Sequence, residues 1–298
     1  MRMRAVLVLA VAIQAGSAAA RDAVGFSIST LASPFTVALL DGARAAADRA
    51  GLELVVLDAQ GKAEKQATDL EELLRGQVRV IVIHPVDAAA LLPAVEQANL
   101  ANVPVITVER PVAAGKVAYH IASDEVAGGR LAGEYVCRLL GGRGEVAELE
   151  GIPGSSEARE RGQGFGEGLR RSCRGVKLLA RETAQADRAE GLTVMEGILQ
   201  AHPAIDAVFA EDDEMALGAV HALKPGNRPV RIIGFGGSED ALRAVVACEL
   251  TATVAPQPAQ MGRYAVEKAR TLLRPGRVPE RTAVVAVALK LVTHPACR

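Results

Sequence analysis

Residues 23–58 read AVGFSISTLASPFTVALLDGARAAADRAGLELVVLD, and this stretch contains one complete strand–helix–strand unit. The apolar run from Ala23 to Ile28 predicts a buried strand. Ser33-Pro34 predicts a helix start, since serine is a good N-cap residue and proline suits the first helical position. The helix is predicted to end at Gly51, and Leu52 to Leu57 forms the second strand.

The same alternation continues to the end of the chain. Further strands are predicted at 78–83, 105–108, 117–122, 145–149, 176–183, 205–210, 230–235 and 284–292. The helices between them are predicted at about 62–75, 88–101, 124–140, 156–171, 187–201, 214–223 and 257–273. This order is typical of parallel, doubly wound sheets, and the alternation restarts near residue 117. The sequence therefore predicts two similar α/β domains.

The first 20 residues have the pattern of a secretory signal peptide. Two arginines lie within Met1 to Arg4, an apolar run extends from Ala5 to Ile13, and Ala18-Ala19-Ala20 fits a cleavage site. A transmembrane anchor is the alternative, but a span needs about 20 apolar residues. We expect an exported protein, located in the periplasm of a Gram-negative cell or outside the cell.

The composition excludes several classes of partner. The 298 residues carry a formal net charge of −1 and contain no tryptophan. Neither nucleic acid nor an anionic membrane surface is predicted as a partner, because both require a basic surface.

The four cysteines form no C-x-x-C pair and lie at no zinc spacing. Cys137 is predicted to be a small buried side chain. In an oxidising compartment, Cys248 with Cys297 is the predicted disulfide.

Motifs for catalysis and cofactor binding are absent from the sequence. No P-loop or nucleophile elbow occurs, and no dinucleotide fingerprint follows the first strand. The glycines of 162–166 lie inside a predicted helix and indicate close packing instead of a phosphate site. No cofactor and no metal are predicted. An exported α/β enzyme stays open as an alternative, because catalytic partners can come from distant loops.

Polar residues follow most of the predicted strands. They lie at Ser29-Thr30, His84-Pro85, Glu109-Arg110, Gly151 to Ser156, Glu211 to Asp213 and Phe235 to Gly237. Ligands of open parallel sheets bind beyond the carboxyl ends of the strands, so two facing domains would enclose a polar cleft. For Asp124, Asp187 and Asp213, helix capping or loop solvation is the favoured interpretation.

The chain resembles the ribose-binding proteins of bacterial ABC transporters over nearly all of its length after residue 20. The resemblance is carried by Ser29-Thr30-Leu31, Pro34-Phe35, Asp41-Gly42-Ala43, 54–58, 103–107, 120–124, 158–162, 201–203, 213–219 and 289–292. It implies a type I periplasmic-binding fold, with two Rossmann-like domains joined by three hinge crossings near Ser123-Asp124, Ala255-Pro256 and Ala286-Val287.

The resemblance also implies domain boundaries and a mode of action. One domain would comprise 21–124 plus 257–285, and the other 125–256 plus 286–298. A sugar-like ligand would bind between them, and the closed, monomeric protein would dock on an ABC permease in the inner membrane.

The ligand site implied by the resemblance departs from the ribose pattern. Matching positions are Ser29, Phe35, Arg110, Arg159 and Phe235, and differing positions are Ser33, Thr36, His84, Glu109, Ala186, Asp212, Gly236 and Pro256. The differences enlarge the pocket and remove acceptors. We therefore expect a larger or differently configured sugar, a polyol or a sugar-like metabolite, with ribose not the main ligand. An ion pair between Glu109 and Arg159, without a ligand role, is the alternative for those two residues.

Two other functions are compatible with this fold. A LacI-type transcription regulator would need a helix-turn-helix before the first strand, and none is present. A binding protein that signals to a chemoreceptor or a histidine sensor kinase is not distinguished from a transport protein by the sequence.

Overall fold

The computed structural model of the protein describes residues 22–224 and 229–296. The predicted signal peptide at 1–20 and Cys297 therefore lie outside the described residues. No helix within the described ranges has the length and apolar character needed to cross a membrane.

Two six-stranded sheets organise the described chain. In chain order the strands are β1 (Ala23–Ile28), β2 (Glu53–Asp58), β3 (Val80–Ile83), β4 (Val105–Val108), β5 (Tyr119–Ser123), β6 (Arg143–Glu150), β7 (Gly175–Thr183), β8 (Ala207–Ala210), β9 (Arg231–Phe235), β10 (Ala252–Ala255), β11 (Ala283–Val287) and β12 (Lys290–Thr293). The first sheet has the order β11-β5-β4-β3-β1-β2, and the second has the order β12-β10-β9-β8-β6-β7. All pairings are parallel except that of β10 with β12.

Helices connect most of the successive strands and cover both sheets. They are α1 (Pro34–Ala50), α2 (Ala63–Arg75), α3 (Leu92–Leu100), α4 (Glu125–Leu139), α5 (Ser156–Ser172), α6 (Arg188–Ala201), α7 (Asp213–Leu223), α8 (Glu239–Val246) and α9 (Pro258–Leu272). The predicted doubly wound α/β class is confirmed. Strands β3, β4 and β8 are buried throughout, as expected for strands covered on both faces.

The predicted last strand at 284–292 was wrong in one respect, because it consists of two strands in different sheets. Strand β11 pairs with β5 through Val287, and β12 pairs antiparallel with β10. The chain therefore leaves the first sheet at Ala288-Leu289, two residues beyond the predicted boundary. An apolar run does not reveal which sheet it joins.

Helix α3 begins at Leu92, four residues later than its predicted start at Ala88. The carboxylate of Asp87 accepts hydrogen bonds from the backbone N–H groups of Ala89 and Ala90, at 2.9 and 2.7 Å. Because the aspartate side chain competes for backbone donors, this turn keeps residues 88–91 out of the helix.

Glycines bring pairs of helices into backbone contact. A Cβ atom on Gly42 of α1 would overlap the carbonyl oxygen of Ala259, and one on Gly262 of α9 would overlap that of Leu39. In the same way, a Cβ on Gly164 of α5 would overlap the carbonyl oxygen of Val126 in α4. The close packing predicted for residues 162–166 is confirmed.

A disulfide between Cys137 and Cys173 joins α4 to the C-terminal end of α5. Cys137 is buried, as predicted, but its bond to Cys173 was missed, because a separation of 36 residues carries no pairing signal. Cys248 is also disulfide-bonded, and its predicted partner Cys297 lies outside the described residues.

Replacing Gly262 with alanine is expected to lower the free energy of unfolding by about 1–3 kcal/mol, because the added methyl group forces α1 and α9 apart. Gly197 provides a matched control, since it lies in helix α6 with open space around its Cα. Gly197→Ala should raise the free energy of unfolding by up to about 1 kcal/mol through helix propensity. Urea unfolding measures both, and equal effects of the two substitutions would contradict backbone contact.

Candidate functional site

A cavity of about 540 Å³ lies between the carboxyl ends of the two sheets. Its walls come from both sheets, and its volume suits a small-molecule ligand. Six residues predicted for the ligand site line it: Phe35, Glu109, Arg110, Phe235, Gly236 and Pro256. In each sheet the strand order reverses beside this edge, which is where doubly wound sheets bind ligands.

The other predicted site residues do not line this cavity. They are Ser29, Ser33, Thr36, His84, Arg159, Ala186 and Asp212. Ser33 is the N-cap of α1, and its carbonyl accepts a hydrogen bond from the buried Thr36 hydroxyl at 2.9 Å. Ala186 lies in the left-handed region, with φ of 56°, in the turn before α6. Asp212 is the N-cap of α7 and accepts a hydrogen bond from the backbone of Glu214 at 2.7 Å.

Ser29, His84 and Glu109 form one continuous hydrogen-bonded line. The Ser29 Oγ lies 2.8 Å from His84 Nδ1, and His84 Nε2 lies 2.5 Å from Glu109 Oε2. The His84 side chain is 3% exposed, whereas that of Glu109 is 37% exposed and faces the cavity. The predicted alternative of a Glu109–Arg159 ion pair is wrong, since Glu109 pairs with His84.

The backbone of Glu109 adopts a left-handed conformation, with φ of 63°. Such a conformation is uncommon for a residue with a side chain and persists only where the surroundings impose it. Here the N–H of Glu109 donates to the carbonyl of Ile121 at 2.7 Å, and that of Arg110 donates to Val108 at 2.8 Å. These contacts turn the Glu109 carboxylate towards His84 and the cavity.

Gln66 supports this wall of the cavity and was not predicted from the sequence. Its side chain is fully buried, its Nε2 donates to the carbonyl of His84 at 2.9 Å, and its Oε1 accepts from the N–H of Val86 at 2.7 Å. A signal was present, because helical periodicity places Gln66 on the same face of α2 as Leu70 and Leu73. A polar residue on a buried helix face needs partners.

Arg161 provides the cationic group on the opposite wall. Its guanidinium lies 4.2 Å from the centre of the Phe235 ring. Its Nε donates to Glu125 Oε2 and its Nη1 donates to the carbonyl of Glu211, both at 2.7 Å. Arg161 lines the cavity, whereas the predicted Arg159 is exposed and lines a separate cavity with Glu150 and Thr183.

Helix geometry explains why Arg161, and not the predicted Arg159, lines this cavity. Two residues along a helix, a side chain points about 200° away, to the opposite face. Arg161 shares a face with Phe165, which is buried in the core of the second sheet. Periodicity within α5 could therefore have identified Arg161.

Glu125 also lines the cavity and was not predicted. Burial raises the pKa of its carboxyl group, and the Arg161 guanidinium opposes that shift. Its position as the first residue of α4 places a negative charge at the positive end of the helix dipole.

Behind this wall, Glu148 and Glu211 form a buried carboxyl pair. A Cβ atom on Gly162 would lie 2.7 Å from Glu211 Oε1 and 3.0 Å from Glu148 Oε1, so both groups pack against α5. Glu211 Oε2 accepts a hydrogen bond from the N–H of Gly151 at 2.7 Å, and Arg181 Nε lies 2.8 Å from Glu148 Oε2. Burial raises the pKa of Glu148 to about 8 and that of Glu211 to about 7.

Capping was predicted correctly for Asp124 and Asp187, but wrongly for Asp213. The carboxylate of Asp213 is buried and accepts hydrogen bonds from the Thr253 hydroxyl and the N–H of Ser238, each at 2.7 Å. It ties α7 to β10 and to the start of α8. A sequence of two adjacent aspartates does not show which one caps the helix.

No cluster of histidine, cysteine and acidic side chains able to hold a metal ion occurs within residues 22–224 and 229–296. The cavity is lined by hydrogen-bonding, aromatic and aliphatic side chains.

Comparisons with known proteins agree with this geometry. Residues 24–277 match a family model described as periplasmic binding protein domain. The chain is 43% identical over 296 residues to the ribose import binding protein of Escherichia coli strain K12, with 98% of each chain covered. A periplasmic ribose ABC transporter protein of Conexibacter woesei has a TM-score of 0.79 at 25% identity over 95% of each chain. AraP, an arabinose-binding protein of Geobacillus stearothermophilus, has a TM-score of 0.80 over 92% of this chain and 97% of its own, and at 20% identity supports the fold alone.

The raised pKa values of Glu148 and Glu211 predict a stability that falls with rising pH. An unfolded glutamate releases its proton near pH 4.5, whereas the folded pair retains protons up to about pH 7–8. The contribution is thus complete below pH 4.5 and is lost as the pH rises to about 8, by up to about 1.4 kcal/mol per pH unit for each proton held.

Urea unfolding at pH 5 to 8 measures this effect. Glu148→Gln should flatten the pH dependence of the free energy of unfolding, because the amide carries no titrating proton. Glu249→Gln, at an exposed position, is the control and should keep the wild-type slope. Identical slopes in the wild type and Glu148→Gln would contradict a proton held by this pair.

Proposed function

The chain belongs to the ribose-binding-like family of periplasmic sugar-binding proteins, and on that premise we propose that it captures a monosaccharide or cyclic polyol in the cleft between its two sheets for delivery to an ABC permease. It is a solute-binding component of an importer and not an enzyme. The observation that carries the proposal is the cavity itself, which is lined both by the Glu109 carboxylate, just after strand β4, and by the Arg161 guanidinium of helix α5.

Polar groups on the two walls leave hydrogen-bonding capacity for a ligand. Glu109 uses Oε2 on His84, so Oε1 can accept from a hydroxyl group. Arg161 uses Nε and Nη1, and within the described ranges no protein acceptor is hydrogen-bonded to Nη2. Arg110, whose Nη1 lies 3.4 Å from the Pro85 carbonyl, adds a second cationic donor. This pairing of acceptor and donors suits adjacent hydroxyl groups of a sugar.

Aromatic contact comes mainly from one wall. Phe35 lies on the cavity and packs against the His84 ring, with centroids 5.9 Å apart. Phe235 is buried and carries Arg161 over its ring, so it supports the guanidinium more than it faces a sugar. The ligand would thus be held by one aromatic face and by charge-assisted hydrogen bonds.

Ligand capture would proceed by closure of two domains, proposed as residues 21–124 with 257–287 and 125–256 with 288–298. The exchange of strands between sheets at three crossings supports this division. Closure needs a ligand that binds the closed state better than the open state, as a ligand touching both walls does.

D-Ribose is the first compound to test, because it is what relatives of this chain import. Of the small residues predicted to enlarge the pocket, Gly236 is the one that lines this cavity. That the main ligand is larger or differently configured than ribose stays a prediction. Thermal-shift and calorimetric titrations with D-ribose, D-allose, L-arabinose, D-apiose and myo-inositol decide between them. A ligand at 100 times its Kd adds about 2.7 kcal/mol to the free energy of unfolding. Absence of binding by all five would contradict the proposal.

Arg161→Ala is expected to weaken the best of these ligands at least 10-fold, because it removes a charge-assisted hydrogen bond worth about 1.5–3 kcal/mol. Arg159→Ala is the matched control on the same helix and should change the Kd less than 2-fold. Calorimetry on both variants tests which arginine faces the ligand. A larger loss of affinity in Arg159→Ala than in Arg161→Ala would instead support the sequence-based prediction that Arg159 binds the ligand.

The proposed partner is an ABC permease of the inner membrane, and the proposed location is the periplasm. We expect the protein to act as a monomer, since each described cleft wall comes from one chain. Light scattering that gives a dimer would contradict this. A chemoreceptor or sensor kinase partner stays a prediction without support from the cleft.

A further inference from the structure

The line Ser29–His84–Glu109 has one end in the cleft and one end in the core. Glu109 lines the cavity, whereas Ser29 and His84 are 6% and 2% exposed and do not. A ligand in the cavity would therefore meet Glu109 and would find His84 behind it. This burial separates the three residues into one that can touch a ligand and two that act through it.

From this geometry we infer that His84 and Ser29 are positioning residues, which fix the Glu109 carboxylate so that its Oε1 accepts a hydroxyl group of the ligand. The inference rests on the proposed function and states how the cavity wall that contains Glu109 would select the ligand. A carboxylate fixed in this way favours a ligand that donates a hydrogen bond to Oε1. It disfavours a ligand whose group there is deoxygenated or methylated, because Glu109 Oε1, covered by the bound ligand, then lacks a donor.

The donor and acceptor capacities of the three side chains assign the protons between them. A neutral imidazole donates from one nitrogen and accepts at the other. Because a carboxylate only accepts, His84 Nε2 carries the hydrogen and donates to Glu109 Oε2. His84 Nδ1 then accepts from the Ser29 hydroxyl, which fixes the tautomer and satisfies all three groups.

The surroundings hold His84 in this orientation. Gln66 hydrogen-bonds the backbone on either side of Pro85, through the carbonyl of His84 and the N–H of Val86. The Phe35 ring covers the imidazole, and the Arg110 guanidinium lies against the Pro85 carbonyl. The left-handed backbone of Glu109 completes the arrangement.

The same three residue types form catalytic triads, but the order here is reversed. In a triad the hydroxyl faces the substrate and the carboxylate lies behind the histidine. Here the carboxylate faces the cavity and the hydroxyl is buried. The line therefore orients an acceptor and does not activate a nucleophile.

Nitrogen-15 NMR of the unliganded protein tests the tautomer directly. The imidazole signals of His84 are assigned as those missing from the His84→Leu variant. A protonated Nε2 and an unprotonated Nδ1 would support the inference, and a neutral ring protonated at Nδ1 would overturn it. This readout needs no ligand, so it stands even where the sugar panel fails to bind and the proposed function falls.

A double-mutant cycle on ligand affinity tests whether His84 acts through Glu109. His84→Leu is expected to weaken the best panel compound about 10-fold or more, whereas His84→Gln, which retains a donor, should stay within about 3-fold. In the Glu109→Ala background, His84→Leu should have no further effect. Full loss on top of Glu109→Ala would mean that His84 binds the ligand itself and would overturn the inference.

His120→Leu is the control for this cycle. His120 also lines the cavity, but its Nδ1 lies 2.9 Å from the Thr107 hydroxyl and has no bond to Glu109. Its effect should therefore be the same in the wild-type and Glu109→Ala backgrounds. Thermal midpoints of all variants, taken alongside, separate lost positioning from lost folding.

Discussion

Backbone contact between helices is the constraint on which the arrangement of both sheets depends. Helix α4 follows the first crossing between sheets and packs on α5, and α9 follows the second crossing and packs on α1. Gly42 and Gly262 allow one of these contacts, and Gly129 and Gly164 allow the other. Dispersion falls off steeply with distance, so a methyl group at any of these points would cost packing along the whole helix pair.

The contact between α4 and α5 also determines which charged side chains line the cavity on the side of Arg161. It fixes the rotation of α5, so that Arg161 faces the cavity while Arg159 faces away. Gly162, next to Arg161, leaves room for the carboxyl pair of Glu148 and Glu211. The Glu211 carbonyl in turn accepts a hydrogen bond from Arg161, which links the buried pair to the charge that lines the cavity.

Both walls use the same physical solution for a charge beside a cavity. Glu109 has His84 behind it, and Arg161 has Glu125 beside it and the Phe235 ring beneath it. A half-buried charge is costly without such partners. Groups that are already held in place lose little entropy when a ligand binds.

Local pattern was enough to predict the α/β class, nearly all the elements and the edge of the sheets where the cavity lies. Each of these depends on residues near one another in the chain: Ser33-Pro34 starts a helix, and an apolar run followed by Glu109-Arg110 marks a strand end. Tertiary structure alone decided that Cys137 pairs with Cys173, that residues 284–292 divide between two sheets, and that Arg161 faces the cleft. It also decided that His84 lies behind Glu109, because burial and distance between remote segments are set by how the elements pack and not by their spacing in the sequence.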